Sequence, residues 1–321
     1  MTNFQILWIT FSGVFLALMR IFLIALTGGF AVRRRILNQD HIQGFSNLTV
    51  SITLPCLIFH RVITDFQPDS IPGWWVLPLA SVATVLIGLG MGALLYGARA
   101  GEKLDLLPVA AMHNANFLIL PLGPILFPEQ TGRFALYIFL YILGHNVMLW
   151  SLGSALISRS SNLLDWRKLV TPPFIANVSA ITMVLLGIQY WIPKMALDTI
   201  ALLGSAAVPV ALFTLGATLG SIQISRLSPL GDILRIMSVK YIFIPVITVV
   251  ILLSLQLHIK QPLLADFFVL QAASAPAVAI ILQVRKYNGD QQTIGSLILV
   301  SYGICALAMP LWLGLWRVIT G

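Results

Sequence analysis

The sequence predicts an all-α polytopic membrane protein: ten transmembrane helices in two inverted five-helix repeats, with broken crossover helices 4 and 9. Three observations support this fold class. Hydrophobic residues make up 58% of the 321 residues and charged residues only 9%, which excludes a soluble core of this size. Apolar stretches long enough to cross a bilayer recur along the whole chain. Prolines inside these stretches recur at a nearly constant spacing, which indicates an internal repeat.

A spanning helix needs about 20 mainly apolar residues, and ten stretches reach this length. They are predicted at residues 8–31, 44–62, 73–97, 106–127, 134–157, 172–190, 196–219, 233–255, 265–284 and 294–316. No basic region precedes the first stretch, so we interpret it as an uncleaved span rather than a signal peptide. The longest polar connection, residues 158–168, is too short for a second domain. We expect one membrane unit over 1–321, with repeat one at 1–158 (spans 1–5) and repeat two at 168–321 (spans 6–10).

Basic residues in the connections lie mainly on one side of the predicted membrane. By the positive-inside rule that side is cytoplasmic, which places both termini on the non-cytoplasmic side of the plasma (inner) membrane. The net charge of +8 follows from this bias and does not indicate a nucleic acid partner. The cytoplasmic group is Arg33, Arg34, Arg35, Arg99, Lys103, Arg159, Arg167, Lys168, Arg226, Arg235, Arg285 and Lys286; the other is Arg61, Arg133, Lys194, Lys260 and Arg317.

Two pairs of prolines deep inside spans carry the repeat. Pro55 in "LPCLIF" precedes Pro209 in "VPVALF" by 154 residues, and Pro121 in "LPLGP" precedes Pro276 in "SAPAVA" by 155 residues. Chance is the alternative, because membrane helices are rich in proline. A repeat of five spans must be inverted, and a broken helix at the same place in each half indicates a secondary transporter. The two breaks are expected to approach one another and to present half-helix N-termini suited to an anion.

Several motifs resemble the auxin efflux carrier family in order and over nearly the whole chain. They are "ALTGGFAVRRRILNQDHIQGFSNLTVSITLPCLIF", "HNANFLILPLG", "GHNVMLWSLG", "TPPFIANV", "LLGSAAVPVALFTLGATLG", "VKYIFIP", "VRKYNGD" and "LAMPLWLGL". The resemblance implies a scaffold of spans 1, 2, 6 and 7 and a transport domain of spans 3–5 and 8–10. It also implies that the cargo is an organic anion, either an auxin-like carboxylate or a dicarboxylate such as malate. The short central loop is similar to that of bacterial members.

This sequence departs from the family pattern beside the presumed cavity. Span 4 of the family often reads Asn-x-Gly-Phe-x-Gly-x-Pro, and here Asn116 and Ile119 replace the two glycines. Family members often have an asparagine shortly after the span 9 proline, where this chain has the apolar run "PAVAII". Both changes bear on the substrate more than on the fold.

The residues near the two breaks are the candidate substrate-binding residues. Asn114 and Asn116 either contact the ligand or satisfy backbone groups loosened by Pro121, while Pro121 and Pro276 are expected to form the breaks. Gln271 and Ser274, before Pro276, either join the site or make a helix-to-helix hydrogen bond. The resemblance adds Asn146, as a contact to the span 4 break, and Lys240, the basic residue before the span 8 proline. Lys240 either neutralises a substrate carboxylate or snorkels to the cytoplasmic surface.

Other polar residues bear on coupling. Arg20, midway along span 1, is expected to pair with backbone carbonyls rather than with substrate. No Asp or Glu lies deep in a predicted span, so a cation site of paired carboxylates is unsupported. His113 and His145 either carry a proton or are structural. The five histidines show no metal-ligand spacing and both cysteines lie in spans, so we expect no metal and no cofactor.

These patterns predict an alternating-access carrier of an organic anion, working in the direction of export. The nearest alternative is a sodium- or proton-coupled organic-anion symporter similar to the bile-acid symporters. A channel is a further alternative, whereas an intramembrane enzyme lacks the nucleophile, metal cluster or carboxylate pair that it needs. The expected partners are a small organic anion and the lipid bilayer, with a homodimer as the candidate assembly.

Overall fold

The computed structural model describes residues 2–159 and 169–321, and the regular secondary structure in these ranges is helical. The predicted central loop, with Arg167 and Lys168, lies outside the described residues beyond Arg159. The helices are α1 (Asn3–Arg33), α2 (Gln39–Asp65), α3 (Val76–Tyr96), α4 (Leu107–Ala111), α5 (Gly123–Leu126), α6 (Pro128–Ser158), α7 (Pro172–Leu185), α8 (Lys194–Gly220), α9 (Leu230–Ser254), α10 (Leu257–Lys260), α11 (Pro262–Ala272), α12 (Ala279–Lys286) and α13 (Gln291–Thr320).

Seven helical stretches in the described ranges are long and apolar enough to cross a membrane. They are α1, α2, α6, α8, α9, α13 and the stretch Val76–Ala111, which joins α3 to α4 through a 3-10 segment. Two shorter apolar helices, α7 and α11, lie between them. The all-helical membrane fold is therefore confirmed, whereas the count of ten spans and the inverted repeat stay predictions.

The predicted spans 4 and 9 are each divided by residues that are not helical. In span 4 the chain leaves α4 after Ala111 and resumes a 3-10 turn at Leu120, so residues 112–119 are unwound. In span 9 residues 273–278 separate α11 from α12. Both breaks are buried in protein, where neighbouring groups can satisfy the freed backbone.

π-helical turns interrupt three of the long helices, at Thr49–Thr53 in α2, Leu149–Gly153 in α6 and Val239–Phe243 in α9. In α2 and α9 the turn comes just before Pro55 and Pro245, whose rings cannot donate a backbone hydrogen bond. Such turns shift the direction of the side chains that follow. The first two lie in the wall of the cavity described below, and the third contains Lys240.

Glycines bring α1 and α8 into backbone contact. A Cβ added at Gly216 would overlap the carbonyl oxygen of Ala25, and one at Gly28 would overlap the carbonyl oxygen of Phe213. Small residues at four-residue spacing, as at Gly216 and Gly220, allow such close approach between membrane helices. The pair forms one wall of the bundle and fixes the position of α8 beside the broken helices.

Polar contacts gather the arginine-rich loops at one end of the bundle. The Lys103 ammonium pairs with the Asp232 carboxylate at 2.8 Å, which joins the turn after α3 to the start of α9. Arg285 at the end of α12 donates to Gln39 Oε1 at the start of α2 and to Ser221 Oγ after α8. We call this the basic end. The helix ends that contain Arg61, Arg133 and Arg317 form the opposite end. There the first turns of α6 and α11 pack together through the rings of Phe134 and Phe267.

Candidate functional site

The two unwound segments cross and pair through their backbones. His113 and Pro276 form an isolated antiparallel bridge. The Asn114 N–H donates to the Ala275 carbonyl at 2.7 Å, and the Ala277 N–H donates to the Met112 carbonyl at 3.0 Å. Both bonds use the neighbours of Pro276, so the missing proline N–H costs the bridge nothing. Each break therefore supplies the hydrogen-bond partners that the other needs inside an apolar bundle.

The crossing in span 4 lies at His113, eight residues before Pro121. Pro121 sits in the 3-10 turn Leu120–Leu122 that leads into α5, a position near a helix start where its missing N–H is tolerated. The unwound segment thus precedes this proline rather than following from it.

The side chain of Asn114 stabilises the break, and a tyrosine connects it to the second one. Asn114 Oδ1 accepts the Phe117 N–H at 3.2 Å, and its Nδ2 donates to the Tyr302 hydroxyl at 2.6 Å. That hydroxyl donates in turn to the Pro276 carbonyl at 3.2 Å. Tyr302 on α13 is therefore a positioning residue that the sequence reasoning missed. The available signal was a tyrosine inside a predicted span, whose hydroxyl requires a partner when buried.

Lys240 is fully buried beneath the crossing and does not reach the surface. Its ammonium lies 3.4 Å from the carbonyl oxygen of Ala110 and 3.3 Å from His113 Nδ1. Ala110 is in the last turn of α4, where carbonyls lack helical partners and a cation is favourable. His145 Nε2 accepts the backbone N–H of His113 at 3.1 Å, so that ring nitrogen carries no proton. Snorkelling of Lys240 to the cytoplasmic surface is thus the wrong alternative.

A cavity of about 290 Å³ opens beside the crossing. Its wall consists of residues from α2, α7 and α8 on one side and from the two breaks, α6 and α12 on the other. Amides, hydroxyls and imidazoles supply its polar groups, and Asp, Glu, Lys and Arg are absent from its lining in the described ranges. Gln43 and Asn47, at the basic end, are exposed at its mouth. We call it the inner cavity.

Three of the predicted site residues line the inner cavity, namely Asn114, Asn116 and Asn146. Asn116 differs from Asn114 because its side chain makes no hydrogen bond with any residue in the described ranges, and its Oδ1 is buried without a partner. An unpaired amide at a cavity wall is free to bind a ligand.

The remaining five predicted residues do not line the inner cavity. Lys240 and Pro276 lie at the crossing, as described above, and Pro121 lies farther toward the opposite end. The side chains of Gln271 and Ser274 are buried, and their polar atoms find no partner among the described residues.

A second cavity, also of about 290 Å³, lies toward the opposite end between α1, α2, α5, α6 and α8. We call it the outer cavity. Its polar lining in the described ranges is limited to Arg20, Arg61 and Thr131, and the rest is apolar. Arg20 makes no hydrogen bond or ion pair within the described part of the chain, so the expectation that it pairs with backbone carbonyls is wrong. It is an exposed residue that lines the outer cavity.

A narrow waist separates the two cavities. It leaves a void of about 10 Å³, and its walls are residues from α2, the first break and α8. Leu54, Asn116, Phe117 and Ala211 also line the inner cavity. Leu120, Pro121 and Val208 also line the outer cavity, so residues of the waist separate the two spaces and belong to both walls. No cluster of three or more His, Cys, Asp or Glu residues in the described ranges could hold a metal ion.

Comparisons with known proteins agree with the architecture. The sequence profile of the family described as membrane transport protein matches residues 13–165 and 156–313, which together cover most of the chain. The chain is also 24% identical over 301 residues to the uncharacterized transporter MJ1031 of Methanocaldococcus jannaschii, covering 91% of this chain and 95% of that protein. The family is one of transporters, and the described part of this chain has seven candidate membrane spans. This chain belongs to the membrane transport protein family, the auxin efflux carrier family, and is a multi-pass membrane transporter.

Proposed function

We propose that this protein moves an organic anion, an auxin-like carboxylate or a dicarboxylate, across the plasma membrane by alternating access, in the direction of export. The observation that carries the proposal is the crossing of two broken helices in the wall of an amide-lined cavity. Secondary transporters place substrate at such a discontinuity, where backbone groups and half-helix ends replace the water that an ion loses.

The inner cavity supplies donors without opposing charge. The Asn116 amide is unpaired, and Val278 and Ala279, at the start of α12, line the same space. A helix N-terminus carries free N–H groups and a partial positive charge, which favours a carboxylate. Because Asp and Glu are absent from the described lining, a bound anion meets no carboxylate there. A carboxylate hydrogen-bonded to Asn116 and to the start of α12 is the complex we expect.

The cavity walls support the two-domain arrangement that the resemblance implies. Residues of spans 2, 6 and 7 form one wall, and residues of spans 4, 5 and 9 form the other. Movement of one set against the other would open the waist and close the mouth at the basic end. With the basic end cytoplasmic, the conformation described here is open to the cytoplasm, and both termini lie outside.

The membrane potential supplies a driving force for export. Moving one negative charge out of a cell that is negative inside releases about 2.3 kcal/mol per 100 mV. The carboxylate pair that binds a coupling cation in many antiporters is absent from the described lining of both cavities. An organic anion can therefore be exported without a coupling ion.

Proton coupling is the second candidate, and the contact between Lys240 and His113 favours it. The Lys240 Nζ and His113 Nδ1 atoms are 3.3 Å apart and buried, so binding or release of a proton by one side chain affects the other. Replacing Lys240 by Met keeps most of the side-chain volume and removes the titrating group. If coupling is through this pair, Lys240→Met abolishes the dependence of transport on a pH gradient. Sodium replacement by choline in the same proteoliposomes tests the sodium-coupled alternative.

Substrate binding is tested with Asn116→Ala. We expect the affinity for the transported carboxylate to fall about tenfold to a hundredfold, because one hydrogen bond to a charged ligand is lost. Folded yield and thermal stability stay at the wild-type level, since the amide has no partner in the protein. A thermal-shift screen against carboxylates identifies the ligand, and calorimetry measures its affinity. Gln67→Ala, in an exposed loop, is the matched control.

Asn114→Ala is expected to separate the two asparagines. Its amide makes two hydrogen bonds within the protein, so its removal lowers stability as well as binding. Unchanged affinity in both asparagine variants would show that the substrate binds elsewhere.

A further inference from the structure

The outer cavity has a composition that the inner cavity lacks, since two arginines line a mainly apolar space. Arg20 comes from the middle of α1 and Arg61 from the last turns of α2. The walls around them are aliphatic and aromatic, with Phe139 and Leu212 among them. A pocket with apolar walls and a few placed charges is typical of a binding site for an amphipathic small molecule.

The charge of this cavity is not balanced within the protein. Arg61 pairs with Asp65 at 3.2 Å, whereas Arg20 has no acidic or hydrogen-bonding partner in the described ranges. Neither Asp nor Glu belongs to the described lining. A cation midway along a membrane helix is costly, and where it lines a cavity it is by default a candidate for the substrate pathway. The two guanidinium groups, less the one carboxylate, leave a net positive charge for an anion to neutralise.

The position of the cavity connects it with the transport path. Pro121 belongs both to the outer cavity and to the waist, and Asn116 belongs both to the waist and to the inner cavity. An anion that leaves the inner cavity when the waist opens enters the outer cavity next. It then moves from neutral amide donors to guanidinium groups, which bind carboxylates by charge-assisted hydrogen bonds.

We infer that the outer cavity is a second binding site for an amphipathic organic monoanion, with Arg20 as its main carboxylate ligand, Arg61 as an auxiliary ligand and an apolar body against the surrounding walls. This inference rests on the proposed function, because it assigns the second site to the cargo of the same carrier. The net positive charge excludes a cation as the ligand. The apolar walls disfavour a compact dicarboxylate, because they offer its second carboxylate no partner.

Binding stoichiometry tests the assignment. The probe is naphthoate, a rigid aromatic monocarboxylate, with neutral naphthamide as its counterpart. The full chain is reconstituted in phosphatidylcholine nanodiscs, and equilibrium dialysis measures bound naphthoate at saturation. We expect two bound naphthoate molecules per wild-type protein and one per Arg20→Gln protein. The Arg20→Lys protein should bind two, the second with lower affinity than in wild type. Naphthamide is expected to bind at least about tenfold more weakly at the outer site because it cannot form the charge-assisted contact.

Matched controls separate the site from general charge effects. Lys194→Gln removes a cation from the opposite end without touching the cavity, and it should keep both sites. Arg61→Gln should weaken the second site less than Arg20→Gln does, because Arg61 already pairs with Asp65. Asn116→Ala should weaken the inner site and leave the outer one. Thermal unfolding verifies that each variant is folded, and loss of the unpaired Arg20 charge should not lower the transition temperature.

Three outcomes would contradict the inference in different ways. A single naphthoate per wild-type protein, weakened by Asn116→Ala and unaffected by Arg20→Gln, would overturn the second site and leave the proposed function intact. Phosphatidylglycerol retained by wild-type protein and lost in Arg20→Gln, with naphthoate still at one per protein, would show a lipid headgroup site instead. Absence of saturable binding and of transport for every carboxylate would reject the proposed function itself.

Discussion

The two unwound segments share a backbone arrangement and differ in their side chains. The first, residues 112–119, contains His113, Asn114 and Asn116, all in contact with the inner cavity. The second, residues 273–278, has three alanines among its six residues and is almost completely buried. Each donates one backbone N–H to the other. The pairing of two breaks therefore requires both segments equally, whereas the chemistry offered to a ligand comes mainly from one of them.

This difference separates two roles within the crossing. The second break acts through its shape, because small side chains let the two backbones come within hydrogen-bonding distance. The first break acts through its polar groups, some of which maintain the crossing while others remain available. Variants that enlarge a side chain in either break, or that remove a polar group between the breaks, can test this division.

The largest loss of stability is expected from enlarging a small side chain at the crossing. Ala275→Leu places three extra carbon atoms at a fully buried position of the crossing, so we expect a loss of stability of about 3 kcal/mol. Ala115→Leu makes the same change in the first break, where the inner cavity offers room. That variant should lose less than about 1 kcal/mol of stability but should lose carboxylate binding. Thermal unfolding and calorimetry on the purified pair measure both quantities. Equal destabilisation of the two variants would mean that both breaks are packed alike.

The next largest loss of stability is expected at Tyr302, whose hydroxyl connects the two breaks. Tyr302→Phe removes the hydroxyl that accepts from Asn114 Nδ2 and donates to the Pro276 carbonyl. Two buried polar groups then lack a partner, which should cost about 2 kcal/mol. Thermal unfolding measures the loss, and Tyr190→Phe, at an exposed position outside the crossing, is the control. Stability like that of the control would show that water replaces the hydroxyl and that Tyr302 does not hold the breaks together.

Much of the architecture followed from hydropathy, charge and proline spacing. Membrane helices can be predicted because the bilayer imposes a length and an apolar composition on each of them. The approach of the two breaks is predicted from the recurring prolines, but in the first break the contact lies at His113, eight residues before Pro121. Freed backbone groups inside a membrane need partners in protein or water, and here each break supplies them to the other. The central connection with Arg167 and Lys168 lies outside the described residues, so its prediction is untested.

The details of the site could not be predicted, because they depend on directions that the sequence does not contain. The place of Arg20 in the wall of the outer cavity depends on how α1 is rotated against α8, which the close contacts at Gly28 and Gly216 determine. The burial of Lys240 depends on the π turn in α9 and on the position of the α4 terminus. Asn114 and Asn116 look alike in the sequence, and only their hydrogen bonds distinguish them.

The smallest effect is expected at the proline that first indicated the break. Pro121→Ala restores an N–H in a segment where Leu120 already donates to the Asn116 carbonyl four residues back. The crossing at His113 lies upstream and is secured by its own hydrogen bonds, so it should persist. We expect a loss of only about 0.5 kcal/mol, mainly from greater freedom of the unfolded chain, and unchanged carboxylate affinity. Pro124→Ala, at the start of α5, is the matched control. A loss of affinity in Pro121→Ala as large as that in Asn116→Ala would show that the proline itself maintains the unwound segment.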